Sequence, residues 1–248
     1  MKHNIKYIMK KFLYQERATS SSYIQYLRKK GVQIGEDCII YSPRNCFIDT
    51  QYPWMITIGN HVRLTHGVII LTHDFSWSVL KKLPTKLQGN VPGAIFGSSG
   101  NVNIGNNVFI GMNTIITKGV SIGDNVIIGA GSVVTKDCAA NGVYGGNPAH
   151  FIMRITEFYE KRKNKQLEEA RNLARCYQKR YGKNPPKEIF NEYFMLFDSF
   201  DSASENANFK MQIELCNNGQ DTKKYMEQNC RRFSTYDEFL SFCLNNEE

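Results

Sequence analysis

His73 is the side chain of this sequence best suited to chemistry, and it lies in the run Leu71-Thr72-His73-Asp74. An imidazole has an unperturbed pKa of about 6.5, so it can take a proton from an attacking hydroxyl group near neutral pH. Two roles are open to Asp74: it could orient the imidazole, or it could contact the substrate. Adjacent side chains of an extended segment point to opposite faces, which argues against the first role and leaves a main-chain carbonyl as the competing partner.

The elements that position His73 are indicated by a six-residue period farther along the chain. One aliphatic residue recurs in every hexad, at Ile104, Ile110, Ile116, Ile122, Ile128 and Val134. A second column of apolar or small residues follows four positions later, at Val108, Thr114, Val120, Val126, Ser132 and Cys138. A helix repeats about every 3.6 residues and an amphipathic strand about every 2 residues, and neither would keep one apolar position per hexad for so long. The sequence therefore predicts a solenoid with both columns inside. Three hexads, roughly 18 residues, complete one triangular coil.

The same register extends upstream of His73 and is then interrupted. The period is kept at Ile34, Ile40, Cys46, Ile58, Leu64 and Ile70. Between residues 74 and 101 the register is missing, and this stretch is too long for a corner. It therefore predicts a loop that leaves the solenoid, and long loops on a rigid scaffold commonly bind something. His73 is expected at the start of this loop, facing a cleft.

Several motifs of residues 31–154 resemble those of the hexapeptide-repeat acyltransferase superfamily, close to the galactoside, maltose and polysaccharide O-acetyltransferases. The motifs are Ile58-Gly59-Asn60, Leu71-Thr72-His73-Asp74, Ile104-Gly105-Asn106-Asn107-Val108-Phe109-Ile110-Gly111, Gly129-Ala130-Gly131-Ser132-Val133-Val134-Thr135-Lys136-Asp137 and Gly145-Gly146-Asn147-Pro148-Ala149. The resemblance implies an all-β solenoid core, a left-handed parallel β-helix, although general rules favour right-handed crossovers. It also implies a homotrimer.

The resemblance further implies an acetyl-CoA-dependent O-acetyltransferase. The acceptor and acetyl-CoA would bind together, His73 would remove the hydroxyl proton, and the acetyl group would pass directly, without an acyl-enzyme and without a metal. Acetyl-CoA would lie in the groove between neighbouring subunits. The matching cofactor-binding positions are Gly111, Met112, Ala130, Thr135, Lys136 and Arg154. Cys38, Cys46 and Cys138 fall in inward-facing columns and are interpreted as small hydrophobic residues rather than nucleophiles.

The acceptor is the least determined part of this function. Candidate substrate-binding residues are Asn45 and Asp49 on the upstream coil, which could hydrogen-bond hydroxyl groups, and Trp77 in the loop, which could stack on a sugar. The loop also offers Lys81, Lys82 and Lys86 for an anionic acceptor. The resemblance favours a sugar of a bacterial surface polysaccharide, capsule or O-antigen, or of its precursor. Acetylation of a streptogramin-type antibiotic and N-acetylation of an amino sugar are alternatives on the same fold. The acyl chain length of the donor is also open.

Two functions of other classes are compatible with a solenoid. His61 and His66 would suit a γ-class carbonic anhydrase, but a catalytic zinc needs three protein ligands, and no third histidine lies a suitable number of coils upstream. A catalytically silent scaffold is the second. The intact Thr72-His73-Asp74 run argues against the scaffold, because a display function needs no proton acceptor at the loop.

The composition limits the class of protein. The 248 residues have a net charge of +8, and 42% of them are hydrophobic. The excess positive charge is not accompanied by an aromatic and basic motif of a nucleic-acid module, so nucleic acid is not expected as a partner. No hydrophobic run has the length of a signal peptide or a membrane span, and the seven cysteines form no Cys-x-x-Cys pair, which favours a cytoplasmic protein with reduced thiols.

Both ends of the chain are predicted to be helical. Residues 1–30 are expected to form a helical cap over the first coil, with weak association with a membrane surface as an alternative. Their apolar face consists of Ile5, Ile8, Met9, Phe12 and Leu13. Residues 155–248 are interpreted as a helical appendage for oligomerisation or substrate positioning.

Three helices are predicted in the C-terminal appendage. The first runs from Ile155 to Tyr181, and the third is opened by Thr235 and Glu238 as a capping box. The second has an aromatic face formed by Ile189, Phe190, Tyr193, Phe194 and Phe197.

Overall fold

The computed structural model describes residues 13–89 and 92–245. The chain divides into two compact units, Met1–Phe158 and Tyr159–Glu248. The first unit contains the six-residue repeat, and the second is helical. Among the described residues, no helix is both long enough and apolar enough to cross a membrane.

The first unit is built from short strands that wind around three faces. In chain order they are β1 (Gln33–Ile34), β2 (Ile39–Ile40), β3 (Phe47–Ile48), β4 (Ile56–Ile58), β5 (Val62–Leu64), β6 (Ile69–Ile70), β7 (Val102–Ile104), β8 (Val108–Ile110), β9 (Ile115–Ile116), β10 (Ser121–Ile122), β11 (Val126–Ile128), β12 (Val133–Val134), β13 (Gly142–Gly145) and β14 (His150–Arg154). Parallel pairing gives three sheets with the orders β1-β4-β7-β10, β2-β5-β8-β11-β13 and β3-β6-β9-β12, and β14 joins β13 in antiparallel pairing. Each coil contributes one strand to each face, which is the parallel solenoid that the period predicts.

Both repeating columns are buried, as predicted. The column that begins at Ile104 is at most 3% exposed, and the column that begins at Val108 is at most 4% exposed. The hydroxyl groups of Thr114 and Ser132 donate to the Gly129 carbonyl oxygen at 3.2 and 2.6 Å, so these two polar members are satisfied inside. The interior of the coils is therefore held by burial of aliphatic side chains, and the two polar members of these columns are paired.

One corner of every coil adopts a left-handed backbone. Five residues stacked in one column have φ between 53° and 61°: Asp37, His61, Asn107, Asn125 and Asn141. Asn and Asp enter this region more readily than most L-residues, which explains their recurrence. The amide groups of Asn107 and Asn125 each donate to the next side chain of the column, at 2.8 and 2.9 Å. This ladder joins the coils at their corners.

A neighbouring column requires residues without a side chain. A Cβ atom on Gly105 would lie 2.4 Å from Asp124 Oδ1 and 2.8 Å from the carbonyl carbon of Gly123. The Gly105 amide donates to the Ile122 carbonyl oxygen at 2.8 Å, so the coils cannot separate here without breaking the ladder of hydrogen bonds. The close approach of the coils accounts for the Ile-Gly pairs of the sequence.

The outward side chains differ between faces. The face of β1, β4, β7 and β10 is polar, with Gln33, Thr57, Asn103 and Ser121 in register. The face of β3, β6, β9 and β12 is apolar, with Phe47, Ile69, Ile115 and Val133 in register. Phe47 is 51% exposed on this second face. An outward apolar column of this kind costs free energy in water unless something covers it.

Helix α1 (Ser20–Lys30) packs its apolar side against the solenoid. Tyr23 and Leu27 are buried in the same hydrophobic cluster as the interior of the coils. Thr19 caps the helix by accepting from the Ser22 amide, and Gly31 ends it with a left-handed φ of 111°. A helix in this segment was predicted, and α1 confirms it. The apolar face predicted for residues 1–30 lies partly outside the described residues, at Ile5, Ile8, Met9 and Phe12.

The predicted loop contains two short helices, α2 (Trp77–Leu80) and α3 (Thr85–Gln88). Its ends meet, because His73 and Ser99 form an isolated antiparallel bridge. The loop therefore leaves the solenoid and returns at one place between β6 and β7.

The remaining helices are α4 (Ile155–Tyr181), α5 (Phe200–Glu205), α6 (Ala207–Glu214), α7 (Gly219–Gln228) and α8 (Tyr236–Leu244). The periodicity correctly predicts α4, and Thr235 caps α8 by accepting from the Glu238 amide. The Glu238 carboxylate accepts from the Ser234 amide at 2.7 Å. The reciprocal hydrogen bond of the capping box therefore comes from Ser234, one residue before the N-cap residue Thr235.

The predicted second C-terminal helix is wrong. Its residues form two 3₁₀ turns, Lys187–Phe190 and Phe194–Leu196, separated at Tyr193, where φ of −120° and ψ of 3° are not helical. The aromatic face exists nonetheless, because Phe190, Phe194 and Phe197 all enter the core of this unit. Packing of the aromatic rings overrides the helical spacing.

Replacing Gly105 by alanine tests the close approach of the coils. We expect Gly105→Ala to lower the free energy of unfolding by roughly 1–3 kcal/mol, because the methyl group would overlap main-chain atoms of the next coil. Urea unfolding curves measure the change. Gly97→Ala is the control, since no atom lies within 4 Å of a Cβ there, and it should change stability by less than about 0.5 kcal/mol. Equal unfolding midpoints for the two variants would contradict the packing argument.

Candidate functional site

His73 follows β6 at the point where the chain leaves the solenoid. Its side chain is 15% exposed, and its Nδ1 atom lies 2.6 Å from Asp49 Oδ2. Asp49 follows β3 in the preceding coil, and the pairing of Ile48 with Ile70 brings the two side chains together. Because an ionised carboxylate only accepts hydrogen bonds, Nδ1 of His73 must carry the proton, which leaves Nε2 free to act on a substrate.

Asp49 is a buried carboxylate whose oxygen atoms are occupied. Oδ2 accepts from the Thr72 amide at 3.0 Å and from the Thr72 hydroxyl at 2.5 Å, and Oδ1 accepts from the Gln51 amide at 2.9 Å. Burial by itself raises the pKa of Asp49, but these hydrogen bonds and the one from His73 outweigh burial and hold the pKa below its ordinary value. The carboxylate is therefore ionised near neutral pH and holds the imidazole in one orientation.

The prediction for Asp49 is wrong, and one of the two roles left open for Asp74 is excluded, whereas contact of Asp74 with the substrate stays a prediction. Asp49 was expected to bind substrate hydroxyl groups, but it is only 2% exposed and its oxygen atoms are engaged. Asp74 was a candidate for orienting His73, but its side chain points the other way along the extended segment. It pairs with Lys118 and accepts from the Ser76 amide at 2.9 Å. The hydrogen bond from Lys118 holds the pKa of Asp74 well below its usual range.

The ends of the loop are held together beside His73. The Asp74 amide donates to the Ser98 carbonyl oxygen at 3.2 Å, and the Gly100 amide donates to the Thr72 carbonyl oxygen at 2.9 Å. Lys118 belongs to the next coil of the solenoid and ties Asp74 to it. These contacts fix the main chain on both sides of the base, so the position of the imidazole does not depend on the outer part of the loop.

An uninterrupted series of aromatic rings surrounds His73. Tyr52 and Phe75 contact the imidazole edge to face, with ring centroids 5.5 and 5.2 Å away. Trp54 lies 5.8 Å beyond Tyr52, and Trp77 lies 6.1 Å beyond Phe75. We call Trp54, Tyr52, Phe75 and Trp77 the aromatic chain. Of its members, sequence reasoning singled out Trp77 alone; the neighbouring Phe75 and the coil residues Tyr52 and Trp54 gave no periodic signal.

Two predicted cofactor-binding residues share a corner with the His73 coil. The pairing of Ile70 with Ile116 and of Ile116 with Val134 places Leu71, Thr117 and Thr135 in one column. Lys136 then falls in register with Thr72, two coils away, which corresponds to roughly 10 Å at the spacing of strands. Thr135 and Lys136 are both exposed. The same edge of the solenoid therefore presents the base and, farther along, a cation.

The other predicted cofactor-binding residues lie elsewhere on the first unit. Gly111 and Ala130 approach closely on consecutive coils, since a Cβ on Gly111 would lie 2.4 Å from the Ala130 amide nitrogen. They and the half-exposed Met112 lie at the opposite edge of the apolar face from Thr135. Arg154 ends β14, where its amide donates to Glu157 at 3.3 Å.

Asn45, the remaining predicted substrate contact, accepts from the Ser42 hydroxyl at 3.1 Å. It is exposed, and no described contact connects it with His73 or Asp49. Its predicted role in acceptor binding therefore stays a prediction.

The cysteines of the solenoid are poor nucleophiles. Cys46 and Cys138 are at most 4% exposed. Burial raises the pKa of the Cys138 thiol to about 11 and also raises the pKa values of Cys38 and Cys46. Their thiols are therefore protonated near neutral pH, which agrees with their interpretation as small hydrophobic residues.

His61 and His66 do not converge on a common point. His61 Nδ1 lies 2.9 Å from Asn107 Oδ1 in the corner ladder, whereas His66 Nδ1 lies 3.1 Å from the Ser42 hydroxyl. Within residues 13–89 and 92–245, no three His, Cys, Asp or Glu side chains are grouped as metal ligands would be.

Comparison with known proteins identifies the repeat. The sequence profile described as bacterial transferase hexapeptide (six repeats) matches residues 101–136. Protein CapG of Staphylococcus aureus is 47% identical over 135 residues, which cover 54% of this chain and 72% of that protein. The chain belongs to the bacterial hexapeptide-repeat transferases. These are acyltransferases, so the prediction of an enzyme of this class is confirmed.

Solved structures of hexapeptide-repeat transferases include more distant relatives. A maltose O-acetyltransferase from Clostridium difficile 630 is 30% identical, with 54% of this chain and 75% of that chain covered and a TM-score of 0.36. A galactoside acetyltransferase in complex with coenzyme A is 25% identical, with 61% and 82% covered and a TM-score of 0.33.

Acid unfolding tests the state of Asp49. Its folded pKa is lowered, so the carboxylate contributes stability above its unfolded pKa of about 3.9 and loses that contribution as the pH falls through the folded value. We expect Asp49→Asn to be less stable than the wild type by roughly 1–3 kcal/mol near pH 7, because the buried partners lose their charged acceptor. The difference should shrink below about pH 4. Unfolding free energies across this pH range measure it, and a constant difference would contradict the assignment.

Limited proteolysis tests the contact between Lys118 and Asp74. The loop contains the trypsin sites Lys81, Lys82 and Lys86. We expect Lys118→Met to increase the rate of cleavage there by about twofold to fivefold, because a solvent-screened ion pair contributes only weakly to closing the loop. Lys136→Met, one coil farther along the same column, is the matched control and should cleave like the wild type. Identical rates for both variants would show that Lys118 does not restrain the loop.

Proposed function

We propose that this protein is an acetyl-CoA-dependent O-acetyltransferase that acts on a sugar hydroxyl group, with His73 as the general base and Asp49 as its positioning residue. The observation that carries the proposal is the 2.6 Å contact between His73 Nδ1 and a buried, ionised carboxylate at the mouth of the loop. This arrangement fixes the tautomer with the lone pair on Nε2, which is the form that can accept a proton. Membership of the family supports the class of reaction, and the contact between His73 and Asp49 supports the choice of His73 as the base.

The reaction would proceed in a single complex of donor and acceptor. His73 Nε2 removes the proton as the acceptor oxygen attacks the thioester carbonyl, and the coenzyme A thiolate leaves when the tetrahedral intermediate collapses. The imidazolium then returns a proton to the leaving thiolate. Asp49 stabilises the imidazolium through Nδ1 without itself being protonated, because its pKa is held low. The buried thiols Cys46 and Cys138 take no part.

The donor would lie along the edge of the solenoid that leads from His73 to Lys136. Thr135 and Lys136 are exposed and in register with the His73 coil, so an ammonium group is available for a phosphate of coenzyme A. Gly111, Met112 and Ala130, at the other edge of the apolar face, would approach the donor from a second subunit. Arg154 is retained as a proposed phosphate contact. We also propose the left-handed winding that the family resemblance implies.

The assembly proposed is a homotrimer. The apolar column Phe47, Ile69, Ile115 and Val133 lies between the two edges that hold the proposed donor-binding residues. Covering this column with a second copy would remove apolar surface from water and bring the two edges together across an interface. The polar face of β1, β4, β7 and β10 would stay in solvent.

The proposed acceptor is a sugar of a bacterial surface polysaccharide or of its precursor, as the resemblance favours. A hydroxyl group needs a base at neutral pH, which the site provides. Amino sugars and streptogramin-type antibiotics belong in the acceptor panel, because an amine or a different alcohol could use the same base.

Activity measurements on two variants test the roles of His73 and Asp49. With acetyl-CoA and a panel of saccharides, we expect His73→Ala to reduce kcat by about a hundredfold or more, because the proton acceptor is lost. Asp49→Asn should reduce kcat by about tenfold to a hundredfold, because Asn can present an amide to Nδ1 and disturb the tautomer, and it should leave the KM for acetyl-CoA unchanged. Thiol release and mass spectrometry of the product measure both.

A control variant and a contradicting result complete this test. Asp74→Asn removes a neighbouring carboxylate that does not contact His73, so it should retain the pH profile of the wild type. Equal kcat values for the wild type and His73→Ala would remove His73 from the role of base. Transfer to an amine alone would assign the enzyme to N-acetylation.

Light scattering tests the proposed trimer. One chain has a mass of 28.5 kDa, and we expect the particle to have about three times this mass. Ile115→Asp should dissociate it, because it places a charge in the middle of the apolar column. Asn103→Asp, in register on the polar face, is the matched control and should keep the mass unchanged. A wild-type monomer would contradict the shared donor site.

A further inference from the structure

The aromatic chain is a surface feature that the proposed chemistry does not require. Trp54 is 69% exposed and Phe75 is 61% exposed, yet both belong to one series of ring contacts that passes through His73. Scattered exposed hydrophobic residues are ordinary on protein surfaces. Two pairs of contacting rings, Trp54 with Tyr52 and Phe75 with Trp77, flank the imidazole. Grouped exposed apolar surface of this kind marks places where a ligand or a partner binds.

The arrangement of the rings suits a particular ligand chemistry. Tyr52 and Phe75 meet the imidazole at interplanar angles of 80° and 81°, so they stand on edge against the base. Phe75 and, beyond Tyr52, Trp54 expose much of their ring surface to solvent. An exposed aromatic face receives the C–H groups of a sugar ring, whose hydroxyl groups stay at the edge, within reach of a base.

The charges at this site favour an uncharged ligand. Asp49 is buried with its oxygen atoms occupied by hydrogen-bond donors, so it offers no open contact to a ligand, and Asp74 is paired with Lys118. No described contact brings another cation to the aromatic chain. The lysines of the loop, Lys81, Lys82 and Lys86, are exposed and take no part in the ring contacts.

We propose that the aromatic chain is the acceptor-binding surface and that it selects a neutral oligosaccharide over a monosaccharide, with sugar rings stacked on Trp54 and on Phe75 on the two sides of His73. The inference rests on the proposed function for its placement of the reacting hydroxyl group. It adds the class of the acceptor, a chain of at least two sugar units, and three residues that sequence reasoning did not identify, namely Tyr52, Trp54 and Phe75. A monosaccharide would cover only one of the two exposed rings.

Tryptophan fluorescence tests this surface directly. The chain has two tryptophans, Trp54 and Trp77, and both belong to the aromatic chain, so the whole signal comes from this site. We would titrate the wild type without acetyl-CoA, so that no transfer can occur, with neutral hexose and N-acetylhexosamine saccharides of one, two and four units. We expect the signal to change and the dissociation constant to fall by about threefold to tenfold from one unit to two, because a second stacking contact is gained.

Substitutions identify the rings that carry the binding. Phe75→Ala and Trp54→Phe, each titrated without acetyl-CoA and with His73 intact, separate the two sides. We expect Phe75→Ala to weaken binding of the four-unit saccharide by about threefold to tenfold and to remove the preference for chain length. Tyr41→Ala is the control, since Tyr41 is 50% exposed but has no part in the ring contacts around His73. In the active enzyme, Phe75→Ala should raise the KM for the acceptor and leave the KM for acetyl-CoA unchanged.

The outcomes separate this inference from the proposed function. Acetyl transfer by the wild type with no dependence on Phe75 or on chain length would overturn the inference and leave the proposed function standing. Saccharide binding with the expected dependence, but without transfer, would support the surface and overturn the proposed function. A Trp54→Phe or Phe75→Ala protein with a changed particle mass would assign the rings to contact between subunits, and tighter binding of acidic saccharides than of neutral ones would also overturn the inference.

Discussion

The hydrogen bond between His73 Nδ1 and Asp49 Oδ2 joins two consecutive coils, and the candidate site is organised around it. Its geometry depends on the parallel pairing of β3 with β6, which puts Ile48 opposite Ile70. A change of one residue in the length of either coil would move the carboxylate to the other side of the strand. The solenoid therefore does more than support the site, because its register determines whether the imidazole has a partner.

The same register explains why the loop can extend outward without loosening the base. The coil that precedes the His73 coil supplies Asp49 and the coil after the loop supplies Lys118, while main-chain hydrogen bonds join residues 72–74 to residues 98–100. The imidazole is thus held from three directions by groups that belong to, or are tied to, the rigid part of the unit. Outside these contacts lies the surface that a substrate would meet, which includes the exposed rings of Phe75 and Trp54.

The sequence predicted the features that repeat and missed those that depend on one contact. The inward columns, the interruption at residues 74–101 and the helix Ile155–Tyr181 follow from periodicity, which each turn of the structure reinforces. Asp49 was assigned to substrate binding because a local sequence pattern does not show which distant segments pair. Asp74 was considered as the partner of His73 because it is adjacent to His73 in sequence. The aromatic residues 189–197 have helical spacing but fold as 3₁₀ turns, since core packing of Phe190 and Phe197 outweighs the local preference. The rings of Tyr52 and Trp54 join the site through a corner between β3 and β4 that has no periodic signal.

The ¹⁵N chemical shifts of the His73 ring nitrogens test the account most directly. In uniformly labelled protein above about pH 8.5, where an ordinary imidazole is neutral, the account predicts a protonated Nδ1 and an unprotonated Nε2. Asp49→Asn should disturb this pattern, whereas Asp74→Asn should not. A proton on Nε2 in the wild type would contradict the account, because the nitrogen that faces the substrate could then not accept a proton.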